Sequence, residues 1–143
     1  MKTDLRPAKA RLQVGALPVR FAPDGSAEIL LVTTRTTKRW TIPKGWPIKG
    51  LKAHEAAARE AQEEAGVVGK ICKKSVGKYL YWKRLADQSI LCNVKLYPLK
   101  VERSLDVWRE RDERQQQWFS LSEAADMVGE PGLSATLRSL KLC

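Results

Sequence analysis

Three glutamates, Glu60, Glu63 and Glu64, stand in i, i+3 and i+4 relation within Arg59-Glu60-Ala61-Gln62-Glu63-Glu64. On a helix turning about 100° per residue, that spacing brings their side chains to one patch. Carboxylates so crowded destabilise a helix by roughly a few tenths of a kcal/mol per pair, a cost that a divalent cation more than reverses. A donor set made only of hard oxygens favours magnesium or manganese over zinc. Most Glu-rich helical segments are merely solvated faces, so the glutamates take their meaning from their flanks: a glycine loop with Pro47 that starts at Gly45, and Gly66 just after the cluster.

The elements that must position this patch follow from hydrophobic period and turn chemistry. The helix carrying it is expected over residues 52–65, stopped by Gly66, and its small residues Ala56, Ala57, Ala58 and Ala61 suit close packing on a sheet. Residues 12–21 and 27–34 alternate or run apolar on either side of Pro23-Asp24-Gly25-Ser26, which predicts a strand pair, with Pro18 weakening the first strand. A short strand at 40–42 leads into Pro43-Lys44-Gly45. Residues 67–83 and 89–101 are rich in β-branched, aromatic and apolar side chains, with Ala86-Asp87-Gln88 as a hairpin loop between them. A highly charged loop at 102–114 precedes a strand at 116–119. Ser120-Leu121-Ser122-Glu123 reads as a capping box opening a short helix, and Leu133, Leu137 and Leu140 give a final helix one apolar face. Strands mixed with a central and a C-terminal helix predict an α/β sandwich. Trp40, Trp82 and Trp118 are assigned to its core, whereas Trp46 falls in the loop beside the acids.

At 143 residues the chain has the size of one domain with one core: residues 1–10 are expected to be a flexible basic N-terminus and residues 11–143 a single domain. Apolar runs such as Ile29-Leu30-Leu31-Val32 fall far short of the roughly 18 residues a membrane span needs. The polar start Met1-Lys2-Thr3-Asp4 lacks the apolar centre of a signal peptide, so a cytoplasmic location with no membrane partner is expected. Cys72, Cys92 and Cys143 are scattered, without the close pairs of zinc or redox motifs, and free thiols are expected. His54 is the only histidine, and its place at the start of the expected helix favours a surface or capping role over Ser-His-Asp or Cys-His catalysis.

The net charge of +10 attracts polyanions through the summed field of the molecule. Its basic clusters are spread along the chain, which is a poor footprint for a groove that tracks nucleic acid. Arg35, Lys38, Arg39 and Lys44 nevertheless lie close in sequence to the acids, where a substrate with several phosphates needs counter-charge, and Trp46 is placed to border such a chain.

From Gly45 the sequence runs through five residues to Leu51, seven more to Arg59, then Glu60-Ala61-Gln62-Glu63-Glu64-Ala65-Gly66-Val67. This resembles the signature of the Nudix hydrolases, and every position matches except Leu51, where the family pattern has a glutamate. The resemblance implies a Nudix α/β/α sandwich with a mixed sheet, a box helix and a C-terminal helix. It also implies a hydrolase dependent on Mg2+ or Mn2+ that cleaves a phosphoanhydride bond. Carried over position by position, Glu60 and Glu64 become metal ligands, Glu63 a third ligand or the general base, the Gly45 carbonyl part of the metal shell, and Arg59 an orienting partner for the acids. In the family a base also comes from outside the box, which leaves Glu60, Glu63, Glu110 and Glu113 open for that role. The loop acid absent at Leu51 is one that the family pattern uses to brace the loop, largely through the box arginine. Glu55, four residues before Arg59, is spaced for a substitute ion pair.

Outside the box, TRTTKRWTIPKG at 34–45, Trp108-Arg109-Glu110-Arg111 and Gln117-Trp118-Phe119 are similar to the diphosphoinositol polyphosphate phosphohydrolase branch, whose members also cleave diadenosine polyphosphates. The Pro-Lys-Gly start is similar to Nudix diadenosine polyphosphate hydrolases too. The expected substrate is therefore a phosphorylated small molecule, a diadenosine polyphosphate or an inositol pyrophosphate, handled by a monomer or homodimer. Two other readings are kept: an RNA 5′-end pyrophosphohydrolase, and a catalytically weak polyphosphate-binding regulatory module.

Overall fold

A computed structural model describes residues 9–141, so the flexible segment expected at 1–10 lies outside the described residues for positions 1–8. The chain forms β1 (Arg11–Phe21), β2 (Ala27–Thr33), β3 (Trp40–Thr41), β4 (Lys44–Gly45), α1 (Ala53–Glu60), β5 (Val67–Ile71), β6 (Gly77–Arg84), β7 (Ser89–Ser104), β8 (Gln116–Ser120), α2 (Leu121–Met127) and α3 (Pro131–Arg138). One eight-stranded sheet holds all the strands, in the order β3-β2-β1-β7-β5, with β4 paired to β1, β6 to β7 and β8 to β2. The β1–β7 pairing is parallel and the other strand pairings are antiparallel, so the sheet is mixed.

Alternation along the strands builds a core on each face. Leu17, Ile29, Leu31, Tyr79, Val94 and Leu96 point to the side covered by α2 and α3, where Ala124, Leu133 and Leu137 meet them. Val14, Ala16, Leu30, Val32, Tyr97 and Leu99 point to the other side, against Ala56, Ala57 and Ala61 of α1. The alanines let α1 lie close to the sheet, as their size predicts. Leu133 and Leu137 form the buried face of α3, while Leu140 packs on the core from beyond the helix end.

Pro18 does not interrupt β1. On the side facing β2 and β4, β1 pairs with Gly45 and Lys44 through Val14 and Gly15, and with β2 only from Val19 onward. The proline falls in the gap between these pairings, where its missing N–H breaks no ladder. The turn at 23–26 closes as expected, with Ala22 donating to the Ser26 carbonyl at 2.8 Å. The capping box of α2 is present, Glu123 N donating to Ser120 Oγ and Ser120 N to Glu123 Oε1, each at 3.2 Å. The single strand expected over 67–83 is instead β5 and β6, divided by residues 72–76.

Two expectations fail. Trp82 is 61% exposed, because it alternates with Tyr81 along β6 and only the tyrosine side faces the α3 core. Cys92 is a buried free thiol, but Cys72 is disulfide-bonded. Disulfides depend on spatial approach and not on closeness in sequence, so the lack of paired cysteines along the chain was uninformative. Among the described residues, no helix is long and apolar enough to cross a membrane.

Candidate active site

The expected helix over 52–65 divides into α1 and a π-helical turn at Ala61–Ala65, closed by Gly66 in the left-handed conformation at φ 66°. A π turn widens the helix by one residue in the hydrogen-bonded ring, a feature frequent at functional sites. Here it carries Glu63 and Glu64, and Glu60 immediately precedes it. Gly66 is required twice over: its backbone is left-handed, and a Cβ there would lie 2.2 Å from the Trp108 ring. Trp108 thereby seats the 105–115 loop on the end of the helix. Leu105 N donates to the Gly66 carbonyl at 2.7 Å and Glu110 N to the Glu63 carbonyl at 3.0 Å, using carbonyls a helix end leaves unpaired.

Glu60 turns inward onto β4. A Cβ built on Gly45 would fall 2.5 Å from its carboxyl carbon, so glycine is what lets the acid and the strand backbone meet. Burial and the Glu63 charge raise the pKa of Glu60, against the lowering effect of the neighbouring Glu64. Glu64 is only 8% exposed, and Lys44 N donates to its Oε1 at 3.3 Å. Burial pushes the Glu64 carboxyl up to about 8, although the charges of Arg114 and Lys44 pull it down. Two carboxyls one helical turn apart beside a strand backbone are hard-oxygen donors of the kind a divalent cation takes. The Glu60–Glu64 pair and the adjoining Gly45 backbone thus fit a divalent metal. Glu63 does not join the pair; its carboxylate faces Arg109 Nη1 at 3.5 Å. Among the described residues, no three ligating side chains converge on one point.

The charged loop adds a fourth acid. Glu110 comes close enough for its charge to raise the pKa of both Glu60 and Glu64. Its carboxylate accepts from Arg114 Nε at 2.9 Å. Glu113, the other loop acid open for the role of base, is half exposed and paired with Arg35 at 3.5 Å, away from the box acids.

Arg59 stands apart. It is exposed and, among the described residues, makes no ion pair with Glu60, Glu63 or Glu64, contrary to its expected orienting role. The α1 surface turns it outward, beside Gln62 and Gly69. The guanidinium among the acids is that of Arg114, 3.6 Å from Glu64 Oε2. Nor does Glu55 pair with Arg59: its Oε1 accepts from Lys52 N at 2.8 Å and caps the helix. Leu51 packs with Ile48 against the α1-side core, so apolar burial anchors the loop where the family pattern uses an acid. Its N–H donates to the Ile48 carbonyl at 3.0 Å.

The expected substrate contacts separate into two groups. Arg35, Lys38 and Arg39 are exposed on the 34–39 loop, Arg35 reaching Glu113 and lying 3.9 Å from Glu110, and Trp46 is 41% exposed on the box loop. Lys44 is not with them. Adjacent strand residues face opposite ways, so while Gly45 meets Glu60, the Lys44 ammonium points to the α3 side. There it donates to Thr41 Oγ1 at 2.8 Å, lies 3.9 Å from Glu130 and sits 5.0 Å from the Tyr81 ring centroid. Burial lowers its pKa, against the raising effect of Glu130 and Glu64. Sequence reasoning missed Arg114 and Glu130, since neither lies in a motif and only the tertiary fold brings them to Glu64 and Lys44.

A family model for the NUDIX domain matches residues 11–139. The chain is 36% identical over 121 residues to Nudix hydrolase 21, chloroplastic, of Arabidopsis thaliana, covering 82% of this chain and 59% of that protein. It is 30% identical to Nudix hydrolase 16, mitochondrial, of the same plant, covering 90% of this chain and 78% of the relative. These names give two different organelles, so they lend no support to a cytoplasmic location. The fold matches a Caenorhabditis elegans Ap4A hydrolase in a binary complex with a TM-score of 0.67 at 21% identity, covering 90% of this chain and 93% of that one.

Proposed function

The chain belongs to the Nudix hydrolase family, and on that premise we propose that it hydrolyses a phosphoanhydride bond in a polyphosphorylated small molecule. The observation that carries this reading is the approach of the Glu60 carboxyl to the Gly45 backbone, with buried Glu64 accepting from Lys44 N on the same strand and Glu110 joined to Glu64 through Arg114. Glu60, Glu64 and the Gly45 carbonyl would hold Mg2+ or Mn2+, which when bound neutralises phosphate oxygens and stabilises the departing phosphate. Glu63 is the general base in this reading. It is the more open of the two remaining acids, and only the largely exposed Arg109 restrains it, whereas Glu110 is tied to Arg114. Glu63 takes a proton from water as the water oxygen bonds to phosphorus, and the anhydride P–O bond breaks with its electrons leaving on the released phosphate.

The exposed cations Arg35, Lys38 and Arg39 support a substrate with several phosphates, and Trp46 is available to border it. Diadenosine polyphosphates and inositol pyrophosphates are the first candidates by charge density. The test is turnover of these two classes, nucleoside triphosphates and triphosphorylated RNA, with Mg2+ and with Mn2+, beside Glu63→Gln. A loss of about 10²–10⁴-fold in the variant is expected. No turnover of any substrate with either metal ends the hydrolase reading, and a variant equal to the parent ends the assignment of Glu63.

A further inference from the structure

We propose that Arg114 is a positioning residue of this site, holding Glu64 of the box helix and Glu110 of the loop in one fixed arrangement, a brace supplied from outside the box. The proposal rests on the reading of Glu64 as a metal ligand. Arg114 is 11% exposed, and each nitrogen of its fork has a different partner. Nε donates to Glu110 Oε1 at 2.9 Å, Nη1 donates to the Thr33 carbonyl at 3.0 Å, and Nη2 lies 3.6 Å from Glu64 Oε2. One planar group therefore joins the loop, the end of β2 and the π turn, which a lysine with its single point charge cannot do at once.

The root of the side chain is fixed as well. The next residue, Gln115, donates from its N–H to Thr33 Oγ1 at 2.9 Å and accepts from Thr33 N at 3.0 Å. Both flanks of the guanidinium are thus tied to β2, and the carboxylates are located relative to the sheet. Without Arg114, the acids Glu60, Glu64 and Glu110 would be opposed only by Lys44 from the far side of β4 and by the largely exposed Arg35, 3.9 Å from Glu110. Arg59 faces solvent and Leu51 packs in the core, so neither supplies a brace.

The experiment uses the full chain, metal-free and without substrate. Mn2+ affinity is measured by calorimetry, and hydrogen exchange is followed at the Glu110 amide, which bonds to the Glu63 carbonyl. Arg114→Met is expected to weaken Mn2+ binding about 10–100-fold, the usual loss on removing a partner of a metal ligand, and to remove protection at Glu110. Arg114→Lys is expected to fall between variant and parent in both readouts; it also serves as the test if the methionine variant does not fold. Mn2+ affinity and Glu110 protection both equal to the parent would overturn the proposal. If the parent hydrolyses nothing while Arg114→Met still loses Mn2+ affinity, the proposed function fails and this assignment stands.

Discussion

Lys44 and Gly45 are neighbours on a two-residue strand, yet they belong to two opposite kinds of buried polar cluster. On the α3 side a cation, Lys44, meets Glu130, Thr41 and the face of Tyr81, so its charge and donors are balanced within the protein. On the α1 side the acids gather in excess: burial is the main cause that raises the pKa of both Glu60 and Glu64 above the ordinary range. The first cluster matches one cation to one acid and acts as structure. The second sets the single buried guanidinium of Arg114 against three acids, Glu60, Glu64 and Glu110, and a site short of cations inside a fold is one prepared for a ligand that brings them.

The largest effect expected from this contrast is on activity. Glu64→Gln should lower kcat/KM at least about a hundredfold, on the order of 2.7 kcal/mol of transition-state stabilisation. It should not lower the melting temperature of the metal-free protein at pH 9. The folded-state pKa of Glu64, about 8, lies above the ordinary glutamate value of 4.5, so its ionisation opposes folding increasingly from about 4.5 to 8, a penalty that Gln does not carry. Lys44→Met should do the reverse, costing about 1–3 kcal/mol of stability by leaving the Glu130 carboxylate without its cation, held only by the Thr41 hydroxyl, as read by denaturant unfolding. If Lys44→Met leaves stability intact while Glu64→Gln destabilises the apo protein, the contrast between the clusters is wrong.

The pH dependence of metal binding sharpens the same contrast. A cation at Glu64 must displace its proton, so apparent Mn2+ affinity should rise about tenfold per pH unit below about 8 and level off above it. Calorimetry at four pH values reads this directly, and a flat profile would show that Glu64 is already ionised. The smallest effect is expected at Arg59. Arg59→Met should change stability by no more than about 0.5 kcal/mol and cost less activity than Arg114→Met, because the exposed guanidinium touches none of the acids.

The sequence alone determined most of the elements and which acids share one helix. Period, caps and the glycine stop at Gly66 were enough to place the helix under the glutamates, and the alanines already implied its close seat on a sheet. Glu60, Glu63 and Glu64 could be read as an oxygen donor set because helical spacing is local. Only the tertiary structure decided how charge is shared among them. The π turn sends Glu63 toward Arg109 while Glu60 turns onto Gly45, Lys44 is carried to the far face by strand alternation, and Arg59 is turned outward. The stabilising guanidinium comes instead from Arg114, fifty residues beyond Glu64 in the chain. Such pairings depend on distances across the fold, which no local pattern encodes, whereas helix spacing and turn chemistry are set by each residue's nearest neighbours.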